Sequence, residues 1–139
     1  MHKQRIYIDT SVIGGCFDEE FSEWSNKLFD EFINASKIAV ISKVTSEELD
    51  SAPSIVQEKI KLIKLENIEY LPENNDAEFL ARKYIEAKAV SVNFYEDALH
   101  IAYATCNNVD VLVSWNFKHI VNFERIKKYN SINIYYGYK

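Results

Sequence analysis

The sequence has few of the residues that mark disulfide-rich, low-complexity or membrane proteins. Its 139 residues include two cysteines, three glycines and two prolines. Two cysteines are too few for a disulfide framework or a zinc site, and so little glycine and proline leaves no recognisable linker. No apolar run approaches the roughly 18 residues of a membrane span, and the first residues lack the apolar core of a signal peptide. We therefore expect one domain over residues 1–139, in a reducing, cytoplasmic setting.

Positive charge is also scarce, but it is unevenly distributed. The chain has 16 Lys and Arg against 21 Asp and Glu, a net charge of −5, which argues against a general nucleic-acid coat protein. Residues 117–139 nevertheless carry a net charge of +4, and residues 1–116 carry −9. A basic segment attached to an acidic body differs from a uniformly acidic protein. The basic residues of this C-terminal segment are Lys118, Arg125, Lys127, Lys128 and Lys139.

The rest of the composition is typical of a globular domain in which strands and helices alternate. Hydrophobic residues make up 47% of the chain and charged residues 27%, enough to build a core. Short apolar runs predict strands at residues 5–8, 38–41, 68–71, 110–113 and 132–136. Helical spacing and capping residues predict helices at residues 21–36, 45–50, 53–65, 75–89, 93–106 and 117–129. Apolar strands that alternate with helices indicate an α/β protein, a three-layer α/β/α fold with a central, mainly parallel sheet.

Acidic side chains recur near the ends of the predicted strands. Ligands of a parallel sheet bind beyond the carboxyl ends of its strands, so polar residues there are candidates for a site. Like charges that are close together raise one another's pKa, and a hard divalent cation such as Mg²⁺ neutralises them. Mg²⁺ held by carboxylates suits phosphoryl chemistry. The acidic residues are Asp9 after the first strand, Glu47 and Glu48 after the second, and Glu96 and Asp97 before the fourth.

Several of these residues also have a purely structural explanation. Asp9 can cap a turn or helix that follows it. Thr45 and Glu48 fit a helix-capping box, in which the glutamate returns to the backbone at the start of the helix. Asn93 and Glu96 have similar spacing. These alternatives stay open for each residue taken alone, and the stronger signal is the order of the acidic residues along the chain.

Four motifs carry a more specific signal. They are Ile-Tyr-Ile-Asp-Thr-Ser-Val at 6–12, Thr-x-x-Glu-Leu at 45–49, Asp-Ala-Leu-His-Ile-Ala-x-Ala at 97–104 and Leu-Val-Ser-Trp-Asn-Phe at 112–117. In order and spacing they resemble the PIN domain, the fold of VapC-like toxin ribonucleases and related metal-dependent RNA nucleases, over residues 5 to about 123. The resemblance implies that Asp9, Glu48 and Asp97 bind Mg²⁺ or Mn²⁺ and form the catalytic set together with Asn116.

The same resemblance implies an activity and partners. It predicts an endoribonuclease that hydrolyses RNA phosphodiester bonds and acts as the toxin of a type II toxin–antitoxin pair. An antitoxin protein and a second copy of the chain, in a homodimer, are the partners that this resemblance implies. The lack of a long apolar run separately predicts no membrane association.

Position 116 departs from the family pattern. Many members have an aspartate there, whereas Asn116 contributes no charge. Its amide can orient a water, or it can serve as a turn residue or helix cap. Three carboxylates then remain, which is enough for one Mg²⁺. The alternative function is therefore a catalytically weak or inactive PIN module that binds RNA or a protein partner.

A further set of polar residues is expected to contact RNA. Hydroxyl groups beside the acidic motifs would line the site, and the basic C-terminal segment would attract the phosphate backbone. His119 could equally be a solvated helix residue, and Trp115 and Phe117 could either stack on a base or pack in the core. The predicted RNA-binding residues are Thr10, Ser11, Ser114, Lys118, His119, Arg125, Lys127 and Lys128.

Overall fold

The protein is built on one parallel sheet. Its computed structural model describes residues 2–138, and four strands lie in this part of the chain. The strands are β1 (Arg5–Ile8), β2 (Ile38–Ser42), β3 (Ile68–Leu71) and β4 (Val111–Val113), in the order β3-β2-β1-β4. Ile6 is paired with both Ala39 and Val111, so β1 is an inner strand, and its apolar residues are buried as an inner strand requires. The predicted α/β class with a central parallel sheet is confirmed.

Seven α-helices accompany the sheet within residues 2–138. They are α1 (Thr10–Gly15), α2 (Ser22–Ile33), α3 (Lys43–Asp50), α4 (Ser54–Ile60), α5 (Asn75–Glu86), α6 (Tyr95–Cys106) and α7 (Phe123–Tyr135). None of these helices has the length and apolar character needed to span a bilayer. Lys139, which belongs to the basic C-terminal segment, lies outside the described residues.

The chain forms two compact units. The first, residues 2–72 and 109–115, holds the sheet and helices α1 to α4 around a core that includes Ile8, Phe29 and Ala39. The second, residues 73–108 and 116–138, holds α5, α6 and α7, with Leu80 and Tyr84 among its buried side chains. A single domain over residues 1–139 stays a prediction.

The C-terminal segment differs from its sequence prediction. The predicted helix at 117–129 and the predicted fifth strand at 132–136 are wrong, because one helix, α7, covers Phe123–Tyr135. The side-chain oxygen of Asn122 accepts a hydrogen bond from the Arg125 backbone N–H at 3.2 Å, which caps this helix at its start. Tyr129 and Asn133 lie one turn apart and are both buried. The alternation of apolar residues beyond position 131 therefore does not indicate a strand, because these residues belong to a helix.

The start of α3 also differs from the prediction. The capping box predicted for Thr45 and Glu48 is wrong, because α3 begins at Lys43 and its box is formed by Ser42 and Thr45. The Ser42 hydroxyl accepts hydrogen bonds from the backbone N–H groups of Val44 at 3.1 Å and Thr45 at 3.5 Å. Glu48 lies well inside the helix and plays no part in this cap, so the structural explanation for Glu48 no longer holds.

Candidate functional site

Asp9 is the buried carboxylate at the carboxyl end of the inner strand β1. It is 5% exposed and caps α1, as the structural alternative predicted. Its Oδ1 accepts hydrogen bonds from the Ser11 backbone N–H at 3.1 Å and from the Ser11 hydroxyl at 2.5 Å, and its Oδ2 accepts one from the Ser114 hydroxyl at 2.7 Å. Three donors hold the carboxylate, yet each carboxylate oxygen has two acceptor positions. Oδ2 therefore keeps one position for a further partner such as a cation.

Glu48 is connected to Asp9 through the residue that follows Asp9. The Thr10 hydroxyl donates a hydrogen bond to Glu48 Oε1. Thr45, on the preceding turn of α3, is fully buried and its hydroxyl donates to the backbone carbonyl of Ile8 at 3.2 Å. Because Thr45 attaches α3 to the last residue of β1, it keeps Glu48 beside Asp9. This contact could not be read from the sequence, because Thr45 and Ile8 are 37 positions apart in the chain.

Tyr7 supports the same region from within the sheet. Its hydroxyl and that of Ser42 are 2.7 Å apart and share a hydrogen bond. Burial raises the pKa of Tyr7 well above its ordinary value, and the negative charges of Asp9 and Glu48 raise it further. The phenol therefore stays protonated, and it braces the end of β2 without taking part in acid–base chemistry near neutral pH.

Trp115, two residues after the end of β4, holds Ser11 in place. Its backbone N–H donates to the Ser11 hydroxyl at 3.0 Å, and its indole Nε1–H donates to Ser25 Oγ at 2.8 Å. The ring stacks on Phe21, with 4.6 Å between ring centroids and 12° between planes. The packing role considered for Trp115 is therefore the one observed. Trp115 thereby positions the Ser11 hydroxyl, which donates to Asp9, and the preceding residue, Ser114, donates to the same carboxylate.

Gly15 leaves the space that this arrangement needs. A Cβ atom at Gly15 would lie 2.6 Å from Ser25 Oγ and 2.7 Å from Trp115 Nε1, whereas one at Gly14 would meet nothing within 4 Å. Ser25 cannot easily move, because its hydroxyl donates to the Val12 carbonyl at 2.8 Å in the core. Gly15 and Ser25 are supporting residues that the sequence pattern did not reveal.

The donor atoms around Asp9 in the first unit have the chemistry that Mg²⁺ prefers. They are all oxygens, from the carboxylates of Asp9 and Glu48 and the hydroxyls of Thr10 and Ser11. Hard divalent cations bind such oxygens together with water. Over residues 2–138, no group of three or more His, Cys, Asp or Glu side chains is arranged to hold a metal ion. The three-carboxylate set with Asp97 therefore stays a prediction.

The remaining predicted catalytic residues belong to the second unit. Asp97 lies in the first turn of α6 and is partly buried, while its neighbour Glu96 is exposed. The Asn116 side-chain oxygen accepts hydrogen bonds from the backbone N–H groups of Lys118 at 3.2 Å and His119 at 2.9 Å. Asn116 is thus a turn residue, as its structural alternative predicted, and a catalytic role for it stays a prediction.

His119 is not a solvated helix residue. It precedes α7, is 6% exposed and stacks on Phe94 with 3.8 Å between ring centroids. Burial lowers the pKa of His119, and the negative charge of Asp97 partly opposes that shift. The Tyr129 hydroxyl donates to the His119 carbonyl at 2.6 Å. His119 is therefore a packed residue of the second unit, and a phosphate contact for it stays a prediction.

The other predicted RNA-binding cations divide into two groups. Arg125 is half-buried and its guanidinium donates to the Ala89 carbonyl at 2.8 Å, so it supports the fold of the second unit. Lys118, Lys127 and Lys128 are exposed. Exposed lysines on a segment of net charge +4 can contact a polyanion at little cost in desolvation.

Comparison with known proteins identifies the fold and the family. A chain in the crystal structure of VapBC2 from Rickettsia felis bound to a DNA fragment from their promoter has a TM-score of 0.60, with 19% identity over 90% of this chain and 95% of that one. The PIN domain endonuclease Utp24 has a TM-score of 0.36, with 16% identity over 68% of this chain and 76% of that one. No curated protein matches the sequence. The model of the PIN domain family matches residues 6–120, which include both Asp9 and the turn at Asn116. This match covers most of the sequence, and the chain belongs to the PIN domain family.

Proposed function

We propose that this chain is a Mg²⁺- or Mn²⁺-dependent endoribonuclease that hydrolyses RNA phosphodiester bonds, and that it is the toxin of a type II toxin–antitoxin pair. The observation that carries the proposal is Asp9, a buried carboxylate oriented by three donors and connected through Thr10 to Glu48. PIN domains are generally nucleases, and the chain of similar fold comes from a VapBC complex. In this proposal the protein acts in the cytoplasm as a homodimer, and an antitoxin covers the carboxylates of Asp9 and Glu48.

The chain's own residues would bind and orient the substrate. Mg²⁺ or Mn²⁺, held by Asp9, Glu48 and Asp97, would polarise the phosphate and lower the pKa of an attacking water. Ser11 and Ser114 keep the Asp9 carboxylate in one orientation, with Oδ2 open to a cation. Lys118, Lys127 and Lys128 would attract the RNA backbone towards an otherwise acidic protein. Cleavage would break the bond between phosphorus and the 3′ oxygen and leave 3′-hydroxyl and 5′-phosphate ends.

A PIN module that binds RNA or a protein without cleavage is the second candidate. Asn116 favours it, because this residue lacks a charge and its oxygen is occupied by two backbone N–H groups. Titration of the purified chain with Mn²⁺ in a calorimeter, beside a cleavage assay on structured RNA, separates the two functions. Metal uptake with EDTA-sensitive cleavage supports the nuclease, whereas RNA binding without either supports the module.

Substitution of the adjacent residues Glu47 and Glu48 tests which of the two glutamates acts together with Asp9. We expect Glu48→Gln to lower metal-dependent cleavage by at least about tenfold, because it weakens a metal ligand or its immediate neighbour. Glu47→Gln removes the same charge from an exposed position of the same helix and should stay within about twofold of wild type. The measurement is the initial rate on a 5′-labelled RNA in Mg²⁺. Equal effects of the two changes would contradict the assignment of Glu48.

A similar pair tests whether Asp97 acts with Asp9 and Glu48. Asp97→Asn should abolish detectable cleavage and weaken Mn²⁺ binding, since a carboxylate ligand is replaced by a neutral amide. Glu96→Gln, at the exposed neighbouring position, should change neither quantity. Undiminished cleavage by purified Asp97→Asn would show that the metal site does not include the second unit.

A further inference from the structure

The second unit contains an open cavity between α5 and the end of α7. Its volume is about 360 Å³, which is within the range of sites that bind small ligands. None of the residues predicted from the sequence to bind metal or RNA lines it. The lining includes Lys83 and Glu86 of α5 and Ser131, Ile132, Tyr135 and Tyr136 at the end of α7.

The charges of this cavity are balanced. Lys83 Nζ lies 3.3 Å from Glu86 Oε1, and the same ammonium group lies over the ring of Phe79 at 5.1 Å from its centroid. A paired lysine is a poor receptor for a free phosphate, because an anion would have to compete with the carboxylate. The charged residues of the lining therefore favour a neutral ligand group over an anion inside the cavity.

An aromatic ring lies open to solvent at this cavity. Tyr135 is 81% exposed although it is a large, partly apolar side chain. Its neighbour Tyr136 is braced from two directions by edge-to-face contacts, with Phe79 at 5.5 Å and with Tyr135 at 4.9 Å between centroids. The exposed Tyr135 ring thus has one ring contact, with Tyr136, and the rest of it is open as a platform on which an unpaired nucleobase can stack, whatever the RNA sequence.

A cation accompanies the ring on the same helix face. Lys128, Ser131 and Tyr135 are spaced i, i+3 and i+7 along α7, so their side chains leave the same face of the helix. Lys128 is exposed and forms no ion pair with any residue from 2 to 138. It is thus available to the phosphate that adjoins a base bound at Tyr135. Lys127, by contrast, lies over the ring of Phe123 at 4.7 Å from its centroid.

We propose that this cavity binds one unpaired base of single-stranded RNA, stacked on Tyr135, with Lys128 contacting the neighbouring phosphate. The inference rests on the proposed function only in taking RNA as the ligand. The exposed Lys128 on the same helix face as Tyr135 favours a ligand that carries a phosphate here over an uncharged protein side chain. The site would lengthen the stretch of RNA that the protein holds and would favour substrates with an unpaired segment.

Binding to a single-stranded RNA tests the inference without cleavage. The full chain carrying Asp9→Asn is titrated into a fluorescein-labelled ten-nucleotide RNA, and in parallel into the same RNA annealed to its complement, at one fixed salt concentration. Adding Tyr135→Ala should weaken single-strand binding by at least about fivefold, because a stacked base is lost. Duplex binding should change by less than twofold, since paired bases do not stack on the ring. Tyr135→Phe should bind the single strand like the parent.

Two further variants serve as a control for tyrosine removal and as a test of the phosphate contact. Tyr70→Ala removes a half-exposed tyrosine from β3 in the first unit and should leave binding unchanged. Lys128→Ala should weaken binding to both RNAs and lower the salt dependence by about one phosphate contact. Single-strand binding by the Tyr135→Ala protein within twofold of the parent, or an equal loss on the duplex, would overturn the inference.

The result is separable from that of the proposed function. Cleavage by the wild type together with Tyr135-independent binding would refute the base site and leave the nuclease intact. Tyr135-dependent binding by a chain that never cleaves RNA would support the base site and refute the nuclease.

Discussion

Asp9→Asn should reduce metal-dependent RNA cleavage by at least about 100-fold while the protein stays folded. The change removes the charge from the carboxylate whose Oδ2 keeps an acceptor position, so the affinity for a divalent cation falls. Folding should be little affected, because asparagine caps a helix about as well as aspartate. Its side-chain oxygen can still accept from the Ser11 backbone N–H, and its amide can donate to the Ser114 hydroxyl. We expect the free energy of unfolding to change by about 1 kcal/mol or less.

The measurements are initial cleavage rates at several Mg²⁺ concentrations and a urea unfolding curve for each protein. Asp50→Asn is the matched control, since Asp50 is exposed near the end of α3, and it should cleave like wild type. Ser114→Ala keeps the charge of Asp9 but removes one of the three hydrogen-bond donors to that carboxylate. Its cleavage rate should fall by about tenfold, which lies between the rates expected for Asp9→Asn and Asp50→Asn. Full activity in folded Asp9→Asn would refute the proposed metal site.

Much of the sheet was predictable from the sequence because each strand is a short apolar run with clear limits. The strands at 5–8 and 68–71 have the predicted bounds, and β2 extends one residue further because Ser42 both ends the strand and caps α3. Local apolar character and turn residues are sufficient for such strands. The C-terminal segment was not predictable in this way, because its residues satisfy both helical and alternating patterns and only the burial of Tyr129 and Asn133 decides between them.

The candidate site was also predictable only in part, because its carboxylates are recognisable from sequence motifs and the contacts of its supporting residues are not. Asp9 stands out in the sequence because it belongs to a distinctive motif, whereas the motif of Glu48 is weak by itself and gains its meaning from its place in the order of the four motifs. The residues that hold them do so through contacts far apart in the chain, such as Thr45 with Ile8 and Trp115 with Ser11. A hydroxyl or an indole has no sequence signature for such a long-range contact. The support of the site therefore becomes visible only in three dimensions.

Gly15→Ala should destabilise the protein by about 1–3 kcal/mol and lower cleavage at the same time. The added methyl group would meet Ser25 Oγ at 2.6 Å and the Trp115 ring at 2.7 and 2.9 Å. Neither neighbour can yield freely, because the hydroxyl is bonded to the Val12 carbonyl and the ring is stacked on Phe21. Displacing Trp115 would also remove the backbone N–H that holds Ser11, and through Ser11 would disturb Asp9. Urea unfolding and cleavage rates of the same preparation measure both effects.

Gly14→Ala provides the matched control one residue earlier in the same helix. A Cβ atom there meets nothing within 4 Å, so alanine should stabilise the helix by up to about 1 kcal/mol. Combining Gly15→Ala with Trp115→Phe removes the indole nitrogen that the new methyl group would meet. If steric contact with the indole is the cause, the double variant should lose less stability than the sum of the single changes. Additive losses would contradict this explanation, because they would mean that the methyl group acts at Gly15 independently of Trp115.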